Sequence, residues 1–215
     1  AIAGSAFLGA LLSVLLIVFA AERAGASRTT VILSGIAISN LFSACIDAVV
    51  TLVPEALNGV SDFRIGGFMG VTLEKLILPS AIIGASLLIL LSVSRQLDIL
   101  ALGSDIAASL GLPAGLFRGL TLIPAAALAG AAVSFSGLIG FAGLIVPHIM
   151  RKLIGEESFP LLMGCVLGGG SFVILCDVLS RVLFAPFEIP VGITLAFLGC
   201  PFFLWILFNR KGGRK

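Results

Sequence analysis

Charge is what this chain of 215 residues most conspicuously lacks: only 11% of its residues are Asp, Glu, Lys or Arg. A soluble domain carries about 25%. So few charges cannot cover a water-facing surface, and with 59% hydrophobic residues and a mean hydropathy of +1.23 the outer solvent must be lipid. The net charge of +2 is too small to suggest a nucleic-acid partner. Cysteine is sparse. Cys45, Cys165, Cys176 and Cys200 all fall in apolar stretches without a CxxC spacing, so they read as small packing or lipid-facing residues, with no disulfides implied. A single histidine leaves no metal-ligating set, and no metal or cofactor is expected. Walker A, GxSxG and HExxH sequences are all missing, so the chain shows no means of binding ATP or of covalent chemistry by itself. No basic n-region precedes the first apolar run, which argues against a signal peptide, and a start at Ala1 inside that run suggests the downstream part of a longer protein.

What is present is a series of long apolar runs. A spanning helix needs about 20 residues. Uncharged runs cover 1–21, 29–46 with an extension past Asp47 toward Pro54, 76–94, 159–176 continuing to Val182, and 189–209. The uncharged stretch Gly119–Met150 is too long for one span, and Ser134-Phe-Ser-Gly137 with Gly140 offers a break between a span at 115–133 and a short segment at 138–150. The expectation is an all-α polytopic bundle of six full spans and one short one. Barrel strands would be shorter and alternate in polarity.

Basic residues orient the bundle. Alternate connections hold Arg23, Arg28, Arg95, Arg118, Arg151, Lys152, Arg210, Lys211, Arg214 and Lys215, whereas the other set holds only Arg64, Lys75 and Arg181. By the positive-inside rule the first set and the C-terminus face the cytoplasm. The alternation holds only if 138–150 crosses or nearly crosses the bilayer. Gly164 and Gly168 form a GxxxG, and Ala125, Ala129 and Gly130 a similar small face; either a moving helix interface or plain tight packing accounts for them.

Three polar segments carry the functional signal. The cytoplasmic stretch 95–114 is too polar to span and too apolar for a loose loop. Asp98–Leu102 predicts one short turn, Ser104 a cap for a second helix near Asp105, Gly111 its left-handed end and Pro113 its stop. Its apolar Ile106, Leu110 and Leu112 need either a protein groove or the bilayer surface. In the run Gly137–Lys152, glycines at 137, 140 and 143 clear one side of a helix, and Pro147 is expected to kink or end it. His148 then reads as a proton relay, a ligand to a substrate metal, or more simply a hydrogen-bonded residue at a helix end. Asp177 and Arg181 lie four apart near an outer helix end, where they can pair, or where the arginine can meet an acidic partner.

With these segments in view the chain resembles the iron-siderophore, haem and vitamin B12 permease family of ABC importers. The matching pieces are Leu100–Leu112, Gly140–Arg151, and Pro190-Val-Gly-Ile-Thr through Gly199–Trp205, in the family's order. The resemblance implies a type II ABC importer permease lacking its first three spans, with 1–215 as one transmembrane domain and 95–114 as a coupling segment inside it. It implies a homodimer in the bacterial inner membrane with the path on its two-fold axis, a cytoplasmic ATPase on each copy, and a soluble binding protein outside. Leu102, Gly103, Asp105, Ile106, Ala107, Leu110 and Gly111 match the ATPase-coupling helices, and Arg181 an outer arginine that meets the binding protein. Thr29 and Thr30 correspond to a cytoplasmic gate, although the neighbouring Arg28 departs from the small polar residue that belongs there. Gly140, Gly143, Pro147, His148, Arg151, Pro190 and Gly192 belong to the family's structural motifs, with no catalytic role for the histidine. The substrate implied is an iron chelate, haem or a cobalamin. A secondary transporter is the rival; Asp47 and Asp177 are its only intramembrane carboxylates.

Overall fold

The computed structural model describes residues 2–23, 28–183, 185–187 and 189–210. All regular structure among them is helical: α1 (Ile2–Arg23), α2 (Arg28–Leu52), α3 (Leu57–Ile65), α4 (Leu73–Ser92), α5 (Ser94–Ala101), α6 (Ser104–Ser109), α7 (Ala114–Ser136), α8 (Ala142–Ile154), α9 (Ser158–Leu183) and α10 (Val191–Arg210). Four helices are long and apolar enough to cross a membrane over their described residues: Ile32–Leu52, Leu73–Ser92, Gly115–Ser136 and Ser158–Leu183. The seven expected segments are all there, as α1, α2, α4, α7, α8, α9 and α10, and the long apolar run breaks at Gly137 as its Ser/Gly cluster suggests.

Two groups of helices make the bundle. In one, α7 packs between α1 and α4, and α2 leans on α1; in the other, α9 packs against α8 and α10. Small residues set the spacing: a Cβ at Gly130 of α7 would lie 3.1 Å from Ala10 and 3.2 Å from Phe7 of α1. The Gly164/Gly168 face of α9 receives Met150 and Ile154 of α8. Here the GxxxG is a packing surface, gaining dispersion where no hydrophobic force separates helices from lipid. Two buried hydroxyls are satisfied inside their own helices, Ser136 Oγ donating to Ala132 O at 2.8 Å and Ser180 Oγ to Asp177 O at 2.7 Å, whereas Thr194 Oγ1 is buried without a partner among the described residues. Internal pairing is what an apolar solvent demands.

The groups are joined at both ends. At the end with the fewer basic residues, α3 folds back beneath α2, and backbone binds backbone. Gly67 N donates to Ser136 O at 2.8 Å, Leu138 N to Phe63 O at 3.0 Å, and Gly192 N to Gly66 O at 3.3 Å. Gly137, at φ +68, sits where a Cβ would come within 2.7 Å of Phe63 O, so only glycine lets the chain leave α7 there. The core of Cys176, Val191 and Leu195, backed by Phe68, Ile139 and Phe172, is also built around this knot. At the basic end, α5 and α6 connect α4 to α7 while α5 packs on α9.

Three local expectations need correction. α6 begins at Ser104 itself, with Gly103 as its cap, because the glycine's φ of +118 turns the chain and its carbonyl accepts Ala107 N at 3.0 Å. Of the two outcomes expected of Pro147, the end of α8 does not occur, and His148 is not at a helix end: the helix runs on to Ile154, with the proline one turn inside. The missing amide leaves the Gly143 carbonyl, one turn back, without its intrahelical partner. Glycines 137 and 140 do not clear a helix face: both precede α8, and only Gly137 is crowded.

Candidate functional site

At the basic end, α5 and α6 meet at Gly103 to form a helix–glycine–helix projection closed by Gly111 at φ +78. Leu112 N returns to Ala107 O at 2.9 Å, which locks the second turn. Ala107 is fully buried at 0% exposure, whereas Leu102, Ile106 and Leu110 are 62%, 50% and 65% exposed. One methyl therefore seats the projection on the bundle while three large apolar side chains point away from it. Of the residues assigned to coupling, Ala107 thus faces inward, with no surface for a partner, because the turn is anchored through it. The side chains of Ser104 and Asp105 lie outside the described part of the structure.

The other sites are apart from this one. Arg181 Nε binds Asp177 Oδ2 at 3.0 Å on the last turns of α9, at the opposite end, with the arginine half exposed. The intrahelical pair forms, and it still leaves the guanidinium at the surface. Thr29 and Thr30 lie in the first turn of α2, Thr29 exposed and Thr30 half buried; Ser27 is outside the described residues, as are Glu188 and the basic tail 211–215. His148 sits mid-helix, edge-on to Phe202 of α10 with ring centroids 6.4 Å apart. Its Nε2 is buried without a hydrogen-bond partner among the described residues. Next to it, Lys152 Nζ lies 5.9 Å over Trp205, and Arg151 is exposed. Pro190 and Gly192 belong to the knot: Gly67 approaches Pro190, and Gly192 packs on the Ile65 carbonyl oxygen. No group of three His, Cys, Asp or Glu able to hold a metal ion occurs among the described residues.

Two features went unread in the sequence. The first is α3 and its arginine: Arg64 Nη2 reaches Asp47 Oδ1 of α2 at 3.2 Å. Nothing in the spacing announces this pair, since it depends on α3 folding back. The second is a polar stripe on α2. Asn40, Ser43, Asp47 and Thr51 recur at helical spacing, and all four are exposed. No part of the most apolar window of this helix is buried in the bundle. A spanning helix does not turn such a stripe toward lipid. The spacing was there to be read. Close to the knot, an apolar cleft of ≈ 560 Å³ opens along α10, lined by Arg64, Ile65, Ile193, Ala196, Phe197 and Cys200 among others.

A helical bundle with a helix–glycine–helix projection at one end is the fold of an ABC transporter permease. Its fold matches a solved metal-chelate type ABC transporter in an inward-facing conformation, with a TM-score of 0.82 and 28% identity over 97% of this chain and 73% of that one. The chain belongs to the FecCD transport family, whose model matches residues 1–209. It is similar to the hemin transport system permease protein HmuU of Yersinia pestis, 36% identical over 98% of this chain and 63% of that protein. It is also similar to the vitamin B12 import system permease protein BtuC of Citrobacter koseri, 34% identical over 96% of this chain and 62% of that one. The chain thus spans less than two thirds of the length of these curated relatives.

Proposed function

We propose that this chain is the permease part of an ATP-driven, binding-protein-dependent importer for an iron chelate, haem or a cobalamin. The observation that carries this reading is the projection at residues 94–112. Leu102, Ile106 and Leu110 are exposed on a segment that is itself too polar to enter the bilayer, and a groove on a cytoplasmic ATPase would bury them. The relatives named for hemin and vitamin B12 import supply the substrate class. On this reading the basic end and the C-terminus face the cytoplasm, Thr29 and Thr30 lie at the inner gate, and Arg181 presents its guanidinium to a binding protein outside.

The chain works as one transmembrane domain, with 95–114 as its coupling segment, in pairs. A second copy covers the polar stripe of α2 and the cleft along α10, so that Asn40, Ser43 and Asp47 border a wet path on the two-fold axis, not lipid. Transport then needs no catalytic residue here. The ATPase binds the outward-open and inward-open arrangements with different affinity, and that difference moves the helices. The Asp47–Arg64 and Asp177–Arg181 pairs weigh against an ion-gradient carrier, since each candidate carboxylate already has a cation.

The test is uptake by proteoliposomes holding the permease, its ATPase and its binding protein, with labelled ferric siderophore, hemin and cyanocobalamin in competition. Accumulation of one of them should require ATP and survive a collapsed proton gradient. Uptake that persists without ATP and stops with the gradient would replace this reading by the carrier.

A further inference from the structure

The projection is tied to the rest of the bundle by a side chain that the transport reading has not used. α9 starts at Ser158, and the preceding Glu157 behaves as its cap residue, its carbonyl accepting Leu161 N at 3.1 Å. Glutamate is absent from the residues favoured there, which are Asn, Asp, Ser and Thr, because capping uses a short side chain. The Ser158 amide is met instead from another helix: it donates to Asp98 Oδ1 of α5 at 2.8 Å, across 60 positions of sequence. The carboxylate also places negative charge at the positive end of the α9 dipole. The bond spans a cleft lined by Ser94, Arg95, Asp98, Glu157, Phe159 and Pro160.

The geometry ties two ends of the molecule together. α5 leads straight into Gly103 and the exposed Leu102, Ile106 and Leu110. α9 is a single helix of 26 residues, about 39 Å long at 1.5 Å per residue, and carries the Asp177–Arg181 pair on its last turns. We propose that Asp98 is a positioning residue which fastens the 94–112 projection to the base of α9, so that displacement at the basic end is transmitted along α9 to the Arg181 end. The inference rests on the proposed function in taking an ATPase to be what displaces the projection.

Simple helix stabilisation by a cap is the competing explanation, and a second substitution separates the two. The assembled importer, with its ATPase and its binding protein loaded in turn with hemin and cyanocobalamin, is compared as wild type, Asp98→Asn, Asp98→Ala and Asp98→Ala/Glu157→Ser. Thermal midpoint and binding-protein-stimulated ATP hydrolysis are both read. Asn keeps an acceptor at the same place and should retain stimulation. Asp98→Ala should lower the midpoint and cut stimulation roughly fivefold, the factor one N-cap commands. Glu157→Ser gives α9 a short hydroxyl that can accept from Phe159 N, Pro160 having no N–H, and should restore part of the midpoint but none of the stimulation. Full stimulation in Asp98→Ala, or its recovery in the double variant, would overturn the tie while leaving the importer reading intact. A wild type whose ATPase ignores the binding protein would remove the importer reading, and this inference with it.

Discussion

Replacing Gly192 by alanine puts the backbone knot to the test. Gly192 occupies the first turn of α10, and a Cβ there would run into the carbonyl oxygen of Ile65 and approach Gly66 O to 3.1 Å. Both obstacles are main chain, so no rotamer change can clear them. α3 and α10 must move apart, and the 3.3 Å bond from Gly192 N to Gly66 O stretches with them. Overpacking costs about 1–3 kcal/mol, and a clash against fixed backbone belongs at the top of that range. Alanine recovers up to about 1 kcal/mol through its higher helix propensity. The steric term wins, leaving a loss of about 2 kcal/mol, or roughly 5 °C in unfolding midpoint for a chain of this size. Gly84 in the middle of α4 is the control. No atom lies within 4 Å of its Cβ position, so Gly84→Ala should leave the midpoint unchanged or raise it. Thermal unfolding of both variants in one detergent is the assay. Equal midpoints for Gly192→Ala and wild type would mean that α3 and α10 do not meet as described.

Three further outcomes follow from the geometry. Leu110→Glu, at a side chain 65% exposed on the projection, should leave unfolding unchanged yet separate ATP hydrolysis from uptake, measured together in proteoliposomes. Arg181→Glu removes an exposed pair worth at most about 1 kcal/mol, so stability should barely shift, while affinity for the loaded binding protein should fall at least tenfold by titration at low salt. Asp47→Asn should retain ATP-driven uptake, because its partner Arg64 shares an exposed structural pair and no proton carriage depends on it; loss of uptake that tracks the proton gradient would favour the carrier.

Spans and turns were legible in the residues because each follows from a local rule. Uncharged runs of about 20 residues can only be helices in lipid, and Gly137 and Gly111 mark places where the chain must turn. The i,i+4 spacing of Asp177 and Arg181 likewise needs nothing beyond one helix. Features that depend on two distant elements meeting were not legible. Leu57–Ile65 contains Asn58, Gly59, Ser61 and Asp62, a weak helical signal, so neither α3 nor its Arg64–Asp47 bond could be anticipated. That α8 continues past Pro147 was not legible either, since the residue type allows a kink as well as an end. The inward face of Ala107 is a matter of packing, and its neighbours Ile106 and Ala108 give no sign of it.

The central claim is that an ATP-hydrolysing partner grips the projection between α4 and α7. The most direct measurement is crosslinking from a cysteine at the exposed Ala108, in the intact membrane complex, after replacing the four native cysteines. The account predicts a product between Ala108→Cys and the ATPase whose yield changes when ATP is trapped with vanadate. Labelling of that cysteine from outside the cell, or a reaction with lipid-phase reagents only, would contradict it.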